Sequence, residues 1–188
     1  MRRVLLQMGV SVDGIVAGGP EGHGGPGAAE HEDVKAWKVE SLHQAGTHIM
    51  GRVTYEQMAA HWPSATDEYA ALMNDVPKVV FSTTLQKAGW ASSRIARGDL
   101  AEEIASLKRE PGKDIIAHGG ASFVQALSRL GLIDEYRLVI QPVALGSGLP
   151  LFKDLPAPLH LELAEAKAFP TGTVIHVYQP ARSAGRAH

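Results

Sequence analysis

Residues 114–122 read Asp-Ile-Ile-Ala-His-Gly-Gly-Ala-Ser, an apolar run that passes through two glycines into a helical pattern. Two earlier apolar runs, within 47–54 and 78–84, also end in small, hydroxylic or cationic residues, and the first of them continues into a helical pattern. In an open α/β sheet, ligands bind outside the carboxyl ends of the strands. A helix that begins there offers unpaired N–H groups and partial positive charge to an anion. The three strand ends therefore predict a site for a phosphorylated cofactor.

The run at 47–54 ends in Gly51-Arg52-Val53-Thr54, where a predicted strand meets a predicted helix. The planar guanidinium of Arg52 suits a phosphate because it can donate two parallel hydrogen bonds. Gly51 allows a close approach of the backbone, and Thr54 offers a hydroxyl in the first helical turn. The alternative is that Arg52 is a surface charge and Gly51 a simple turn.

The other two strand ends carry uncharged residues. Ser82 and Thr83 could donate to a ribose phosphate, although serine and threonine after strands are commonly turn formers. Gly119 and Gly120 permit a tight turn beside a pyrophosphate. The chain has no G-x-G-x-x-G motif at this point, which argues against a standard Rossmann fingerprint.

Outward from these motifs, strand-like and helix-like hydrophobic patterns alternate along most of the chain. Strands are predicted at 3–12, 46–50, 78–82, 114–118, 134–141, 159–168 and 173–179, and helices at 29–45, 52–61, 66–74, 99–109 and 121–130. The alternation predicts an α/β fold with a mostly parallel central sheet and flanking helices, and the last two strands predict an antiparallel C-terminal hairpin. We expect one domain over residues 1–180 and a flexible tail over 181–188.

The composition excludes several classes of function. The 188 residues include no cysteine, so disulfides, zinc–thiolate sites and cysteine nucleophiles are absent. A net charge of -2 gives no reason to expect a nucleic-acid-binding face. The nine histidines form no metal-ligand pattern, and no G-x-S-x-G motif points to a serine hydrolase. No apolar run is long enough for a membrane span, so we expect a cytoplasmic protein without metal, membrane or nucleic-acid partners.

Two further features bear on a site beside these strand ends. A glycine- and proline-rich segment at 18–27 follows the first predicted strand and suits either a mobile flap or a plain exposed connector. His118 directly precedes the double glycine. Its imidazole could titrate near neutral pH and donate a proton, and the alternative is a packed, hydrogen-bonded histidine.

Six motifs in this order resemble those of the dihydrofolate reductase-like superfamily. The closer resemblance is to small stand-alone proteins related to the reductase (RibD C-terminal) domain of riboflavin biosynthesis. The matching stretches are Ser11–Gly14, Ile49–Glu56, Val80–Leu85, His118–Phe123, Gly131–Glu135 and Pro142–Phe152, which together span nearly the whole chain. The resemblance implies the three-layer dihydrofolate reductase-like fold.

The resemblance also implies NADPH as the cofactor. The residues that it places against NADPH are Gly9, Val16, Ala17, Gly51, Arg52, Thr54, Ser82, Thr83, Gly119, Gly120, Ala121 and Ser122. Gly9, Val16 and Ala17 would approach the nicotinamide. Gly51, Arg52 and Thr54 would hold phosphates, with Arg52 near the adenosine 2′-phosphate. Ser82 and Thr83 would lie by that phosphate and the adenine ribose. The pyrophosphate would be wrapped by the segment Gly119–Ser122.

The substrate side departs from the family pattern. In dihydrofolate reductases a carboxylate of the first helix binds the pterin and supports its protonation, and Asp33 is the nearest candidate here. The sequence around Asp33 is not otherwise folate-like, so folate reduction does not follow. Many riboflavin-pathway enzymes also carry a zinc deaminase domain, for which this chain lacks the length and the cysteines. It could still be a reductase half alone.

The leading hypothesis is an NADPH-dependent reductase that transfers hydride to a small heterocyclic (pteridine- or pyrimidine-like) or carbonyl substrate. Asp33 and His118 are the candidate acids, and the resemblance implies a homodimer. The alternative is a catalytically silent NADP-binding module of the same fold. A third class, a structural or interaction protein, predicts no nucleotide binding. Substrate-dependent loss of NADPH absorbance separates the first two.

Overall fold

A mostly parallel sheet of eight strands forms the centre of the computed structural model, which describes residues 1–17 and 31–181. The strands of this sheet are β1 (Val4–Ser11), β3 (Ala45–Gly51), β4 (Lys78–Phe81), β5 (Ser93–Ala96), β6 (Asp114–Ala117), β7 (Glu135–Gln141), β9 (Leu161–Ala168) and β10 (Val174–Pro180). A second, small sheet pairs β2 (Ile15–Ala17) with β8 (Leu149–Pro150). The helices are α1 (Glu32–Leu42), α2 (Arg52–His61), α3 (Glu68–Asn74), α4 (Leu100–Arg109) and α5 (Ala121–Arg129), with a short 3₁₀ helix at Trp62–Ser64.

The strand order in the central sheet is β5-β4-β3-β6-β1-β7-β10-β9. Strand β10 runs antiparallel to both of its neighbours, and the other pairs of adjacent strands are parallel. The parallel strands β3, β4 and β6 therefore end at one edge of the sheet, where the motifs of the sequence converge. The predicted mixed sheet with a C-terminal antiparallel hairpin is confirmed.

Two helical layers cover the two faces of the sheet because alternate strand residues point to opposite sides. On one face, Leu5, Met50, Val80 and Ile116 pack with residues of α1, α2 and α3, among them Leu42, Tyr55, Met58 and Met73. On the other face, Leu6, Ile49, Val79 and Ile115 pack with residues of α4 and α5, among them Ile104, Leu107, Val124 and Leu127. Burial of these side chains supplies the main driving force for folding. The three-layer arrangement is confirmed.

Some element boundaries differ from the sequence prediction. Helix α1 is shorter than the predicted 29–45, because the Nδ1 atom of His31 accepts the Asp33 N–H at its start and β3 already begins at Ala45. Strands β2, β5 and β8 were not predicted, since each has only two to four residues and so shows no hydrophobic period. The predicted flap at 18–27 and the tail beyond residue 181 lie outside the described residues, and the domain extent of 1–180 stays a prediction.

Within the described ranges, no helix combines the length and the apolar character needed to cross a membrane.

Candidate functional site

The starts of helices α2 and α5 lie next to each other at the carboxyl edge of the sheet. Gly51 precedes α2 and Gly120 precedes α5, and the Gly51 N–H donates to the Gly119 carbonyl over 3.0 Å. Within the described chain, no side chain caps either helix start. The first N–H groups of both helices are thus available to a ligand at one place, which suits an anion.

The double glycine is packed closely against α2. A Cβ atom at Gly120 would lie 3.2 Å from the Thr54 hydroxyl oxygen, and one at Gly119 would lie 3.2 Å from the Met8 methyl carbon. Gly119 also has a φ of +114°, which favours glycine, and the Gly119–Gly120 peptide is cis. The structure therefore brings together Gly51, Thr54, Gly119 and Gly120, as expected for a backbone cradle. Ala121 is buried in the first turn of α5 and Ser122 is exposed there.

A cavity of about 330 Å³ lies beside this cradle, at the carboxyl ends of β4 and β5. It is lined by Phe81, Ser82, Thr83, Thr84, Ala96, Arg97, Gly98, Leu100 and Phe123. The rings of Phe81 and Phe123 stack with their centroids 5.0 Å apart, which gives the cavity an apolar wall. The predicted residues Ser82 and Thr83 thus line one cavity next to the uncapped helix starts.

Ser82 also forms a turn, as the alternative interpretation expected. Its hydroxyl oxygen accepts the Leu85 N–H at 2.9 Å and the Thr84 N–H at 3.2 Å. The Ser82 hydroxyl also lies 3.4 Å from the Thr84 hydroxyl, a contact in which either group can donate, so a ligand in the cavity would receive the Ser82 proton in place of Thr84. The turn-forming and ligand-binding roles are therefore compatible.

Arg97 is a cationic residue of this cavity that sequence reasoning missed. Its guanidinium donates to the carbonyl oxygens of Thr83 at 3.1 Å and Leu85 at 2.5 Å. It therefore holds the 82–85 turn in place and puts a positive charge at the cavity wall. The sequence did not point to Arg97 because this residue directly follows β5, a strand with only one large apolar residue that the hydrophobic pattern does not reveal.

Arg52, the predicted phosphate ligand, is exposed in the first turn of α2 and does not line the cavity. Its Nη1 atom donates to both carboxylate oxygens of Glu56, at 2.9 and 3.1 Å. An exposed ion pair of this kind contributes little stability and is readily exchanged for another anion. Arg52 could therefore reach a phosphate only after leaving Glu56.

The residues predicted near a nicotinamide occupy the first strand and the small sheet. A Cβ atom added at Gly9 would meet no atom of residues 1–17 or 31–181 within 4 Å, so these residues leave the face of β1 open at this point. Val16 packs against the main hydrophobic cluster, and Ala17 pairs with Leu149 in the small sheet. The open face at Gly9 provides room for a flat ring.

His118 forms a hydrogen-bonded pair with a second histidine. Its Nε2 atom lies 2.8 Å from Nδ1 of His48, whose own Nε2 lies 2.9 Å from the Leu72 carbonyl oxygen. Burial, together with the neighbouring His48, lowers the pKa of His118 well below its usual value. Desolvation disfavours the cationic form of His118, and its hydrogen bond to His48 agrees with the alternative of a packed, hydrogen-bonded histidine. A catalytic role of His118 stays a prediction.

Asp33, the other candidate acid, is exposed in the first turn of α1, where its carboxylate lies 3.5 Å from Nδ1 of His31. The structure thus gives Asp33 no contact with His118. In residues 1–17 and 31–181, no group of three or more histidine, aspartate or glutamate side chains is arranged to hold a metal ion.

Asp13 anchors the glycine-rich crossing of residues 142–150 to the end of β1. Its carboxylate accepts the Ser11 hydroxyl at 2.6 Å, the Leu145 N–H at 3.1 Å and the Gly146 N–H at 2.7 Å. These bonds stabilise the charged form and lower the pKa of Asp13 from 3.8 to about 2. The anchor thus ties the segment that leads into β8, the partner of β2, to the end of β1.

We expect this anchor to make the stability of the protein depend on pH. Since the folded-state pKa of Asp13 lies below 3.8, its stabilising effect is complete above that pH and is lost as the pH falls to about 2. Asp13→Asn removes the charge, so the variant should lose less stability than the wild type between these pH values. Urea unfolding at a series of pH values measures the difference. Glu162→Gln on the exposed strand β9 is the control, and equal pH slopes for Asp13→Asn and wild type would contradict the prediction.

Comparison with known proteins agrees with this geometry. A family model described as the RibD C-terminal domain matches residues 2–175. The Bacillus subtilis protein YyaP is 34% identical over 182 residues, which cover 94% of each chain. A putative riboflavin biosynthesis protein from Shewanella sp. PV-4 superposes with a TM-score of 0.72 at 21% identity, covering 97% of this chain and 100% of that one. A dihydrofolate reductase from Enterococcus faecalis, complexed with NADP(H), superposes with a TM-score of 0.64 at 13% identity, covering 96% of this chain and 97% of the reductase. The chain has the dihydrofolate reductase-like fold.

Proposed function

Because the chain belongs to the RibD C-terminal domain family, we propose that it is an NADPH-dependent reductase of a small heterocyclic (pteridine- or pyrimidine-like) or carbonyl substrate. The observation that carries this proposal is the pair of uncapped helix starts beside the cavity that Ser82, Thr83 and Arg97 line. A dinucleotide with several phosphates needs N–H donors, hydroxyls and cations arranged along one edge of a sheet. The NADP(H) of the E. faecalis reductase, whose fold the chain shares, supports the same cofactor.

The residues present fit such a cofactor. Gly51, Thr54 and the segment 119–122 would hold the pyrophosphate, since added side chains at the glycines would fill the cradle. Ser82, Thr83 and Arg97, together with a released Arg52, would hold the 2′-phosphate and the ribose. Gly9, Val16 and Ala17 would border the nicotinamide. When bound, NADPH supplies the hydride for the reduction.

The chain's own contribution is to place a substrate over the open face at Gly9 and to limit the access of water there. The reduction also needs a proton. Near neutral pH the desolvated His118 has no proton to give beyond the N–H that it shares with His48. Asp33 or a water molecule is therefore the proposed proton source.

A catalytically silent NADP-binding module is the second candidate function. The observation in its favour is that Asp33 is exposed and that burial lowers the pKa of His118 well below its usual value, so the described residues enclose no evident proton donor. The two functions share the cofactor site and differ only in turnover. The homodimer, the cytoplasmic location and a role in riboflavin biosynthesis stay predictions.

Calorimetric titration with NADPH and NADH in parallel tests the cofactor. We expect the wild type to bind NADPH more tightly than NADH, and Arg52→Ala to lose part of that preference because it removes a charged donor to the 2′-phosphate. Arg94→Ala is the matched control, since Arg94 is also exposed and ion-paired, at 3.3 Å to Glu103, but lies outside the cavity lining. If neither nucleotide binds at millimolar concentration, both candidate functions are excluded. Loss of NADPH absorbance with pteridines or pyrimidinones then separates the reductase from the silent module.

A further inference from the structure

Two successive buried hydrogen bonds, from Arg137 to Ser41 and from Ser41 to Gln7, fix the orientation of the Gln7 side-chain amide. The Arg137 Nη1 atom donates to the Ser41 hydroxyl oxygen at 2.5 Å, and the Ser41 hydroxyl donates to Oε1 of Gln7. A guanidinium has no acceptor, so Ser41 must accept from Arg137 and has only its own proton left for Gln7. All three side chains are buried. The Gln7 oxygen therefore faces Ser41, and its Nε2 donor faces the other way.

The His48–His118 pair fixes a tautomer in the same manner. The Leu72 carbonyl can only accept, so the proton of neutral His48 is on Nε2 and its Nδ1 is an acceptor. His118 must then donate its Nε2 proton to His48, which leaves Nδ1 of His118 as a free acceptor. Burial and the charge of Lys78 lower the pKa of His48 to about 4, and burial beside His48 lowers that of His118, so both rings are neutral.

Gln7 and Gly9 lie on the same face of β1, since strand residues alternate between faces. Leu6 pairs with Ala117 at the end of β6, so Gln7 and His118 are the residues that follow this last pair, and the alternation puts both on that face. The buried side-chain N and O atoms that have no partner in the described part of the chain are His61 Nε2, Trp62 Nε1 and Ser93 Oγ. Gln7 Nε2 and His118 Nδ1 are not among them, although they also make no hydrogen bond with described residues. Gln7 is 8% exposed and His118 is half-buried, so each side chain keeps a small exposed part.

We propose that Gln7 and His118 recognise the substrate as a donor–acceptor pair, with Gln7 Nε2 donating to a carbonyl oxygen and His118 Nδ1 accepting from the adjacent ring N–H. Such a pair fits the lactam edge of the pteridine- or pyrimidine-like substrates already proposed. Ser41, Arg137 and His48 are positioning residues that fix the two recognition atoms. The inference rests on the proposed function for the use of the open face, but the tautomers themselves are a property of the free protein.

Histidine-labelled protein without ligand gives the first test. Proton–nitrogen correlation spectra of the full chain should show His48 and His118 as neutral rings with the proton on Nε2. His48→Phe should release the constraint, so that His118 becomes a mixture of both tautomers, a change that a purely structural role of His48 would not produce. A wild-type His118 with its proton on Nδ1 overturns the inference, whether or not the variant folds.

A pair of small probes tests recognition. 2-Pyridone carries the adjacent C=O and N–H, whereas 1-methyl-2-pyridone lacks only the N–H donor. We expect 2-pyridone to shift the His118 Nδ1 resonance and to bind about tenfold more tightly than the methylated probe. Gln7→Glu keeps an acceptor for Ser41 but removes the donor, so it should weaken 2-pyridone binding about tenfold. Gln57→Glu, on the exposed side of α2, is the matched control and should change nothing.

The outcomes separate this inference from the proposed function. Equal affinity for the two probes, or no shift with 2-pyridone up to its solubility, overturns the recognition pair. NADPH titration of the same samples reports on the cofactor site independently. Selective 2-pyridone binding without NADPH binding would overturn the reductase proposal alone, and NADPH binding with unselective probes would overturn the recognition pair alone.

Discussion

Gly46→Ala should lower the free energy of unfolding by about 2–3 kcal/mol, because the new methyl group has no space in the sheet. A Cβ atom at Gly46 would lie 2.8 Å from the Lys113 carbonyl oxygen and 2.9 Å from the Lys113 nitrogen. Both are backbone atoms at the start of β6, so a rotamer change cannot relieve the contact. Gly46 also lies at the irregularity between β3 and β6, where Ala45 pairs with Asp114 and Thr47 with Ile115. Urea unfolding should show the loss, with a fall in Tm of roughly 5–10 °C.

Gly89→Ala is the matched control for this prediction. A Cβ atom there would meet nothing within 4 Å, and the residue does not adopt a left-handed conformation. We expect its free energy of unfolding to stay within about 0.5 kcal/mol of the wild type. If Gly46→Ala were equally mild, β3 and β6 would have to be further apart than the structure places them.

The sequence predicted the parts of the fold that depend on local pattern. Helix α2 has the predicted bounds, and β4, β6 and α5 each differ by about one residue, because glycines, prolines and a clear hydrophobic period mark their ends. Strand β5 escaped prediction since Ser93-Arg94-Ile95-Ala96 has no periodic apolar face, and it exists through pairing with β4 at the edge of the sheet. Strand pairing of this kind is decided by tertiary contacts, which a local pattern does not contain.

The candidate site shows the same division. The glycines at 51, 119 and 120 were found because a strand–glycine–helix succession is visible in the sequence. Arg97 was not found, since its place beside the cavity depends on the unpredicted strand β5. His118 was found, but its partner His48 is 70 positions away and its desolvation is a property of the packed core. The sequence therefore indicated the glycines of the backbone cradle, but it did not indicate the charge of Arg97 beside it or the hydrogen bond between His48 and His118.

Arg97→Ala should weaken NADPH binding about 10–100-fold and leave NADH binding nearly unchanged, because a charge-assisted hydrogen bond to phosphate contributes about 1.5–3 kcal/mol. The guanidinium is already held at the wall of the cavity by the Thr83 and Leu85 carbonyl oxygens, so little side-chain entropy is lost when a phosphate binds. Arg97→Lys should recover only part of the affinity, since a lysine cannot bond both carbonyls and a phosphate in the same plane. Calorimetry with both nucleotides measures the preference directly.

Arg52 provides the contrasting case because Glu56 competes for its guanidinium. Glu56→Gln weakens that ion pair and should therefore strengthen NADPH binding, by roughly two- to threefold, if Arg52 reaches the 2′-phosphate. The same substitution in an Arg52→Ala background should have no effect on the affinity for NADPH, since the guanidinium for which Glu56 competes is then absent. If Arg97→Ala leaves the NADPH preference intact while Arg52→Ala abolishes it, the phosphate lies at the start of α2 and not in the cavity. If both substitutions reduce the preference and their effects add, the two arginines bind the phosphate independently from opposite sides.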